Sequence, residues 1–165
     1  MMKISIIMTI LCLIVISLLD GQDSYPVYID PDLITIGVGE YVVLNIIITI
    51  PVSGFEFILN HDESLLSLES VTRGNDWPEP FFWSNSHFIA GAAAIGTGPI
   101  ELSGTVAQAQ FRAIGEGDAI IELTNLFICD TLGNDNTPTN IDGSVITIQN
   151  TLLLKAPGMP IQIRN

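Results

Sequence analysis

Phe55, Phe57 and Leu59 recur at every second position, with Gly54, Glu56, Ile58 and Asn60 between them. A period of two sends successive side chains to opposite faces of an extended chain, so the stretch predicts a strand with one apolar and one half-polar face. Asp62 follows where a short carboxylate can accept backbone N–H bonds at the head of a single helical or 3₁₀ turn. Leu66 and Leu68 then resume the alternation and return the chain to the same core.

The same grammar runs along the body. Short strands are predicted over residues 27–30, ended by Pro31, and 33–36, ended by Gly37 and Gly39. Residues 41–50 predict a long strand with Val42, Leu44, Ile46 and Ile48 on one face and Asn45 and Thr49 on the other. Pro51, which has no N–H to give a ladder, is expected to stop it. The strand entered at Leu66 extends to about Thr72, and residues 74–85 break the rhythm with two prolines and four aromatics. Another strand starts at His87 and runs through Ile95, followed by a turn-rich loop over 96–104. Residues 105–114 alternate clearly, with Ala107, Ala109, Phe111 and Ala113 inward and Gln108, Gln110 and Arg112 outward. A hairpin-type turn at 115–118 leads to a strand over 119–129, bent near Asn125, then a polar loop over 130–142 and a closing strand over 143–149. Eight to ten strands with frequent turns and no helical periodicity predict an all-β sandwich.

The ends differ from the body. Lys3 precedes an apolar run over residues 4–19, so residues 1–22 predict a secretory signal peptide or, if uncleaved, an N-terminal anchor. The expected location is therefore secreted and extracellular, with attachment to the cell surface and membrane contact only through an uncleaved leader. Residues 24–150 form the expected domain. Residues 151–165 are apolar but punctuated by Pro157, Gly158 and Pro160, and read as a short tail or an extra edge strand.

Charge narrows the functional classes. From Asp23 to Asn150 there are 17 acidic residues against 2 basic ones, Arg73 and Arg112, a net of −15. A field of that sign repels phosphate backbones and argues against a nucleic-acid partner; it attracts cations and basic partners. With 48% apolar and 14% charged residues, the 165-residue chain can bury a core. Cys12 falls in the leader, leaving Cys129 without an internal disulfide partner and best read as a small buried side chain.

Candidate chemistry is sparse. His61, Asp62 and Glu63 are consecutive at a strand end, so their side chains are expected to diverge, and His87 has no ligand-type spacing to His61. No serine sits in a nucleophile elbow and no glycine loop cradles phosphate. A glycosidase pair can always be drawn from seventeen acids, which makes that signal empty. The sequence thus predicts no enzyme, no catalytic residue, no metal centre and no required cofactor. Asp130, Asn134 and Asp135 lie in an oxygen-rich loop that leaves a weak calcium possibility, although turn chemistry explains it better. Trp77, Phe82 and Trp83 are read either as a stacking platform for sugars, as an anchor for a protein partner, or as a lid over the open end of the sandwich.

Taken in order, several segments resemble the cohesin domains, the dockerin-binding modules of cellulosome scaffolds and related secreted proteins. The carriers are Val38-Gly39-Glu40, Gly54-Phe55-Glu56-Phe57 with His61-Asp62 and Leu65-Leu66, and Val71-Thr72-Arg73-Gly74. They continue with Gly104-Thr105-Val106-Ala107, Phe111-Arg112-Ala113, residues 117–123, Asp130 through Gly133-Asn134, and Gly143-Ser144-Val145. The resemblance spans residues 25–149 and implies a nine-stranded jelly-roll sandwich, similar to that of a class of carbohydrate-binding modules. It implies a non-catalytic module whose partner is a calcium-loaded dockerin, working in extracellular polysaccharide degradation. It also implies one outer docking face made of Gly54, Glu56, Ile58 and Asn60 together with Gln108, Gln110 and Arg112. Gly54 and Glu56 take the places of the family's Asn and Asp, and His61-Asp62-Glu63 stands at its Tyr-Asp-Pro corner. The alternatives are a carbohydrate-binding module that stacks polysaccharide on the aromatic cluster, and a structural surface module.

Overall fold

A computed structural model describes residues 25–78, 81–95 and 98–150. The leader expected over 1–22 and the tail or edge strand expected over 151–165 lie outside the described residues. Among the described residues every regular element is a strand: β1 (Val27–Asp30), β2 (Leu33–Gly37), β3 (Tyr41–Val52), β4 (Gly54–Asn60), β5 (Leu66–Arg73), β6 (Phe82–Asn85), β7 (Phe88–Ala92), β8 (Ala94–Ile95), β9 (Gly98–Pro99), β10 (Leu102–Ala113), β11 (Gly117–Cys129), β12 (Ile141–Asp142) and β13 (Ser144–Gln149). The all-β sandwich is therefore present. The segments number thirteen rather than nine, and three of them, β8, β9 and β12, are only two residues long.

One sheet has the order β12-β1-β3-β10-β5 and the other β2-β13-β11-β4-β7-β6; β8 and β9 form a separate ribbon. Alternation fills the space between the sheets. Val42, Leu44, Ile46 and Ile48 from β3 and Ala107, Ala109 and Phe111 from β10 are buried on one side, and Phe55, Phe57 and Leu59 from β4 with Ile121 and Ile128 from β11 on the other. Each such aliphatic or aromatic side chain contributes about 1.5–3 kcal/mol by leaving water, so this core carries the fold. The inward–outward assignments made for β3, β4 and β10 hold except at Gly54, which was placed on the outer face and is buried.

Pro51 does not end β3, which continues to Val52. The reason is positional. β1 pairs with β3 only from Asn45 to Ile48, and the Thr49 N–H already reaches Pro26 on that side. The nitrogen of Pro51, two residues on, faces the same way but past the end of β1, so its missing N–H costs no ladder bond. The bend near Asn125 is confirmed: Asn125 has φ 51° and the β11–β4 register shifts between Thr124 and Phe127. Asp62 behaves as expected too. Its Oδ1 accepts from the Ser64 N–H at 2.8 Å and the Ser64 hydroxyl at 2.6 Å, although the segment is a turn rather than a helix.

Candidate protein-docking face

Trp77 and Trp83 set the terms of the surface. Trp77 is 1% exposed, its ring edge-on to Phe55 with centres 4.8 Å apart and its Nε1–H donating to the Phe81 carbonyl at 3.1 Å. It needs Gly91 beneath it, because a Cβ there would stand 2.5 Å from the indole nitrogen and 2.6 Å from Phe55. The guanidinium of Arg73 donates to the Trp77 carbonyl and to that of Gly74, pinning the loop that carries the indole. Phe82 packs inward against the core, while Trp83, the next residue on β6, points outward and is 54% exposed. The expected platform of Trp77, Phe82 and Trp83 therefore does not exist. One ring is core, one is half-buried against it, and one is on the outer surface, because neighbours on a strand face opposite ways.

The expected single docking face also separates into two. Gly54, Glu56, Ile58 and Asn60 lie on β4 in the six-stranded sheet, whereas Gln108, Gln110 and Arg112 lie on β10 in the five-stranded sheet. The outward sides of two packed sheets look in opposite directions, so these rows cannot touch one flat partner together. Periodicity says which side of its own strand a residue occupies, but not which sheet the strand joins.

On the five-stranded sheet the polar row is largely occupied with itself. Gln108 Nε2 donates to Asn45 Oδ1 at 2.8 Å, and the Ser70 hydroxyl donates to Gln110 Oε1 at 3.5 Å. The Arg112 guanidinium lies over the Tyr41 ring at 5.8 Å. Val43 is the exposed apolar residue between them.

The six-stranded sheet presents a different outer surface. Register places Phe127, Glu56, Ala90 and Trp83 side by side across β11, β4, β7 and β6, a row about 14 Å long at normal strand spacing. The adjacent row is Thr124, Ile58, Phe88 and Asn85. Trp83, Phe88 and Phe127 are exposed large hydrophobic residues, and Ile58 is half-buried between them. Asn60 is held by a bond to the Thr124 hydroxyl at 3.0 Å, at the polar edge of the patch. Gly54 is buried at the other end, where a Cβ would meet Cys129 Sγ at 3.0 Å, so the glycine makes room for the cysteine rather than touching a partner. Cys129 is half-buried rather than fully buried, and desolvation, then the Asp130 and Asp135 carboxylates, raise its thiol pKa. The outward aromatics Phe88 and Phe127 were missed from the sequence, though both sit at the outward parity of apolar strands.

The oxygen-rich loop is closed on itself. Asp130 Oδ1 accepts from the Leu132 and Asn134 N–H groups at 2.8 and 2.9 Å, and its Oδ2 from Asn134 Nδ2 at 2.8 Å. Asp135 Oδ1 accepts from the Thr137 N–H at 2.9 Å. The Asn134 side-chain bond, followed by its backbone N–H, holds the Asp130 carboxyl below the usual range, and Thr137 does the same for Asp135. This is the Asx chemistry of a turn.

His61 and His87, read from sequence as unrelated, come together. The β4–β7 pairing ends with the Leu59 N–H donating to the His87 carbonyl at 2.9 Å, and the two imidazole centres are 5.0 Å apart. His61 also meets Phe111 edge-on at 4.9 Å. Burial, then the neighbouring His87, lowers its pKa, with Glu63, the Leu66 carbonyl and Asp62 opposing.

The sequence matches no protein-family model, and no curated protein matches it. Solved structures do match. The sixth cohesin of Acetivibrio cellulolyticus scaffoldin B, solved in complex with a Cel5 dockerin, superposes with a TM-score of 0.61 at 15% identity, covering 74% of this chain and 97% of that one. A non-cellulosomal cohesin from the archaeon Archaeoglobus fulgidus gives 0.58 at 18% identity, covering 75% and 90%. This is the cohesin fold. The third ScaB cohesin of R. flavefaciens, in complex with a group 1 dockerin, agrees at a TM-score of 0.60 and 12% identity, covering 79% and 99%. At such identities the cohesin likeness carries the architecture; the side chains on the outer faces are this chain's own.

Proposed function

We propose that this chain is a non-catalytic binding module that docks a dockerin-type protein through the outward face of its six-stranded sheet. The observation that carries the reading is the cross-strand patch of Trp83, Phe88, Phe127 and Ile58 around Glu56. Aromatic anchors ringed by polar groups are what protein interfaces use, and a monomer gains nothing by leaving them in water. Several solved cohesins of the same fold are themselves in dockerin complexes, which supports the choice of partner. The described cations Arg73 and Arg112 both belong to the five-stranded sheet, so no Lys or Arg among the described residues offsets the carboxylates of the opposite face. A basic, calcium-loaded dockerin would be steered to it, and would bring its own metal. Export and a role in extracellular polysaccharide degradation complete the reading, on the strength of the sequence's leader and the cohesin likeness.

A sugar-stacking reading loses its support with the burial of Trp77, which leaves Trp83 as a single exposed indole. The experiment is calorimetry of this protein against calcium-loaded dockerins encoded in the same genome, with Glu56→Arg alongside. Saturable binding that Glu56→Arg weakens supports the proposal. Binding that ignores the substitution moves the partner off this face, and no binding across the set overturns the partner class.

A further inference from the structure

A groove of about 500 Å³ runs between β5 and the β6–β7 hairpin, at one seam of the sandwich. None of Trp83, Phe88, Phe127, Ile58 or Glu56 lines it, and the docking proposal makes no use of it. Its walls include His61, Glu63, Glu69, Ser84 and His87. We infer that His61, His87 and Glu63 form a binding site for a borderline divalent transition metal such as Zn²⁺.

The geometry carries the inference. A metal bound in line with an imidazole nitrogen sits about 2.1 Å from it, and so about 3.2 Å from the ring centre. Two imidazoles on one tetrahedral ion therefore have centres about 5.3 Å apart. The His61 and His87 centres are 5.0 Å apart, with their planes inclined by 42°. Two ligand atoms on tetrahedral zinc are separated by about 3.4 Å; His87 Nε2 and Glu63 Oε1 are 4.0 Å apart. As the side chains stand, no three His, Cys, Asp or Glu residues among those described converge on one point. The third ligand comes by rotation of Glu63, whose side chain is 78% exposed and free to swing.

Support for the rings comes from the fold. His61 is set against the buried Phe111, and the His87 backbone is tied to β4 through its carbonyl. One ring nitrogen of His61, Nδ1, is sealed from water without a hydrogen-bond partner. Buried polar atoms are nearly always paired, so an orphan calls for an account. Coordination supplies one where the metal takes the Nδ1 lone pair, the ring proton then residing on the other nitrogen. Two nitrogens and one carboxylate suit zinc, copper or nickel, and are the wrong donors for calcium or magnesium. The net −15 field of the body concentrates divalent cations at the groove mouth.

The test uses the full chain in a non-chelating buffer, titrated with Zn²⁺ by calorimetry and, in parallel, with Cu²⁺ followed by electron paramagnetic resonance. The expected result is one saturable Zn²⁺ site, a Cu²⁺ spectrum carrying couplings from two nitrogens, and no comparable site for Mg²⁺. His87→Ala should weaken Zn²⁺ binding by roughly tenfold or more, and Glu63→Gln by a smaller factor. His61→Ala should act like His87→Ala; if losing the contact to Phe111 unfolds that variant, His87→Ala, on an exposed turn, decides alone. Absence of a saturable site, or a site that His87→Ala leaves unchanged, overturns the inference. Neither result bears on the dockerin reading, whose patch contains none of these three residues.

Discussion

The two outer faces of this sandwich are built from the same alternating strands, yet they are finished differently. On the five-stranded sheet, Gln108 is bonded to Asn45 and Gln110 to Ser70, and the Arg112 guanidinium lies near the ring of Tyr41, which stays exposed with Val43. On the six-stranded sheet, Phe127, Trp83 and Phe88 stand in water around Glu56. A surface whose hydrogen-bonding groups are already paired has little to gain from a partner, because docking only exchanges one set of bonds for another. A surface of exposed aromatics gains whatever area it covers. The difference is thus in what each face leaves unsatisfied, and not in its polarity as counted along the sequence.

The contrast can be broken most forcefully at the two tryptophans. Trp77→Ala empties a packed site and should cost about 3–5 kcal/mol of stability in denaturant titrations. Trp83→Ala should stay within about 0.5 kcal/mol of the parent, since its ring faces solvent. Equal losses would mean that Trp83 is structural and the outer patch is misassigned. Next in size is binding. Phe88→Ala or Trp83→Ala should weaken a dockerin by about 2 kcal/mol, near thirtyfold, the scale of an interface hot spot. Gln110→Ala and Arg112→Ala should leave the affinity unchanged by the same calorimetry. Gly91→Ala pushes a methyl group against Trp77 and Phe55 and should cost about 1–3 kcal/mol, again by denaturant titration.

Smaller still is the pairing on the five-stranded sheet. Gln108→Ala removes a part-buried amide bond and should cost about 0.5–1.5 kcal/mol. Finally, the Asp130 carboxyl should titrate below its ordinary value of 3.8, because the Asn134 side chain, then its N–H, favours the charged form. With the folded pKa depressed, the stability it lends is present above the unfolded pKa and is lost as pH falls through the folded one. Carboxyl NMR titration with Asn134→Ala as comparison checks the direction: the variant should titrate closer to 3.8.

How much of this was legible in the chain follows from what alternation encodes. Val42 through Ile48, Phe55 through Leu59 and Ala107 through Ala113 each carry their own inside and outside, so strands, core and sandwich class could be read directly. Sheet membership could not be read that way. Nothing local to Glu56 or Gln110 records that β4 pairs with β11 and β7 while β10 pairs with β3 and β5. That is why one predicted face became two. The aromatic stretch failed for a related reason: whether Trp77 is core depends on Gly91 and Phe55, both far away in sequence. The meeting of His61 with His87 was invisible for the same cause, being produced by the β4–β7 register.

The central claim, that the six-stranded sheet is the docking face, is tested most directly by NMR of the full chain titrated with a calcium-loaded dockerin that binds it. The side-chain resonances of Ile58, Phe88, Phe127 and Trp83 should shift together at saturation, while those of Val43, Ile47 and Tyr41 stay where they are. Shifts confined to Val43, Ile47 and Tyr41 would place the partner on the opposite sheet and contradict the account.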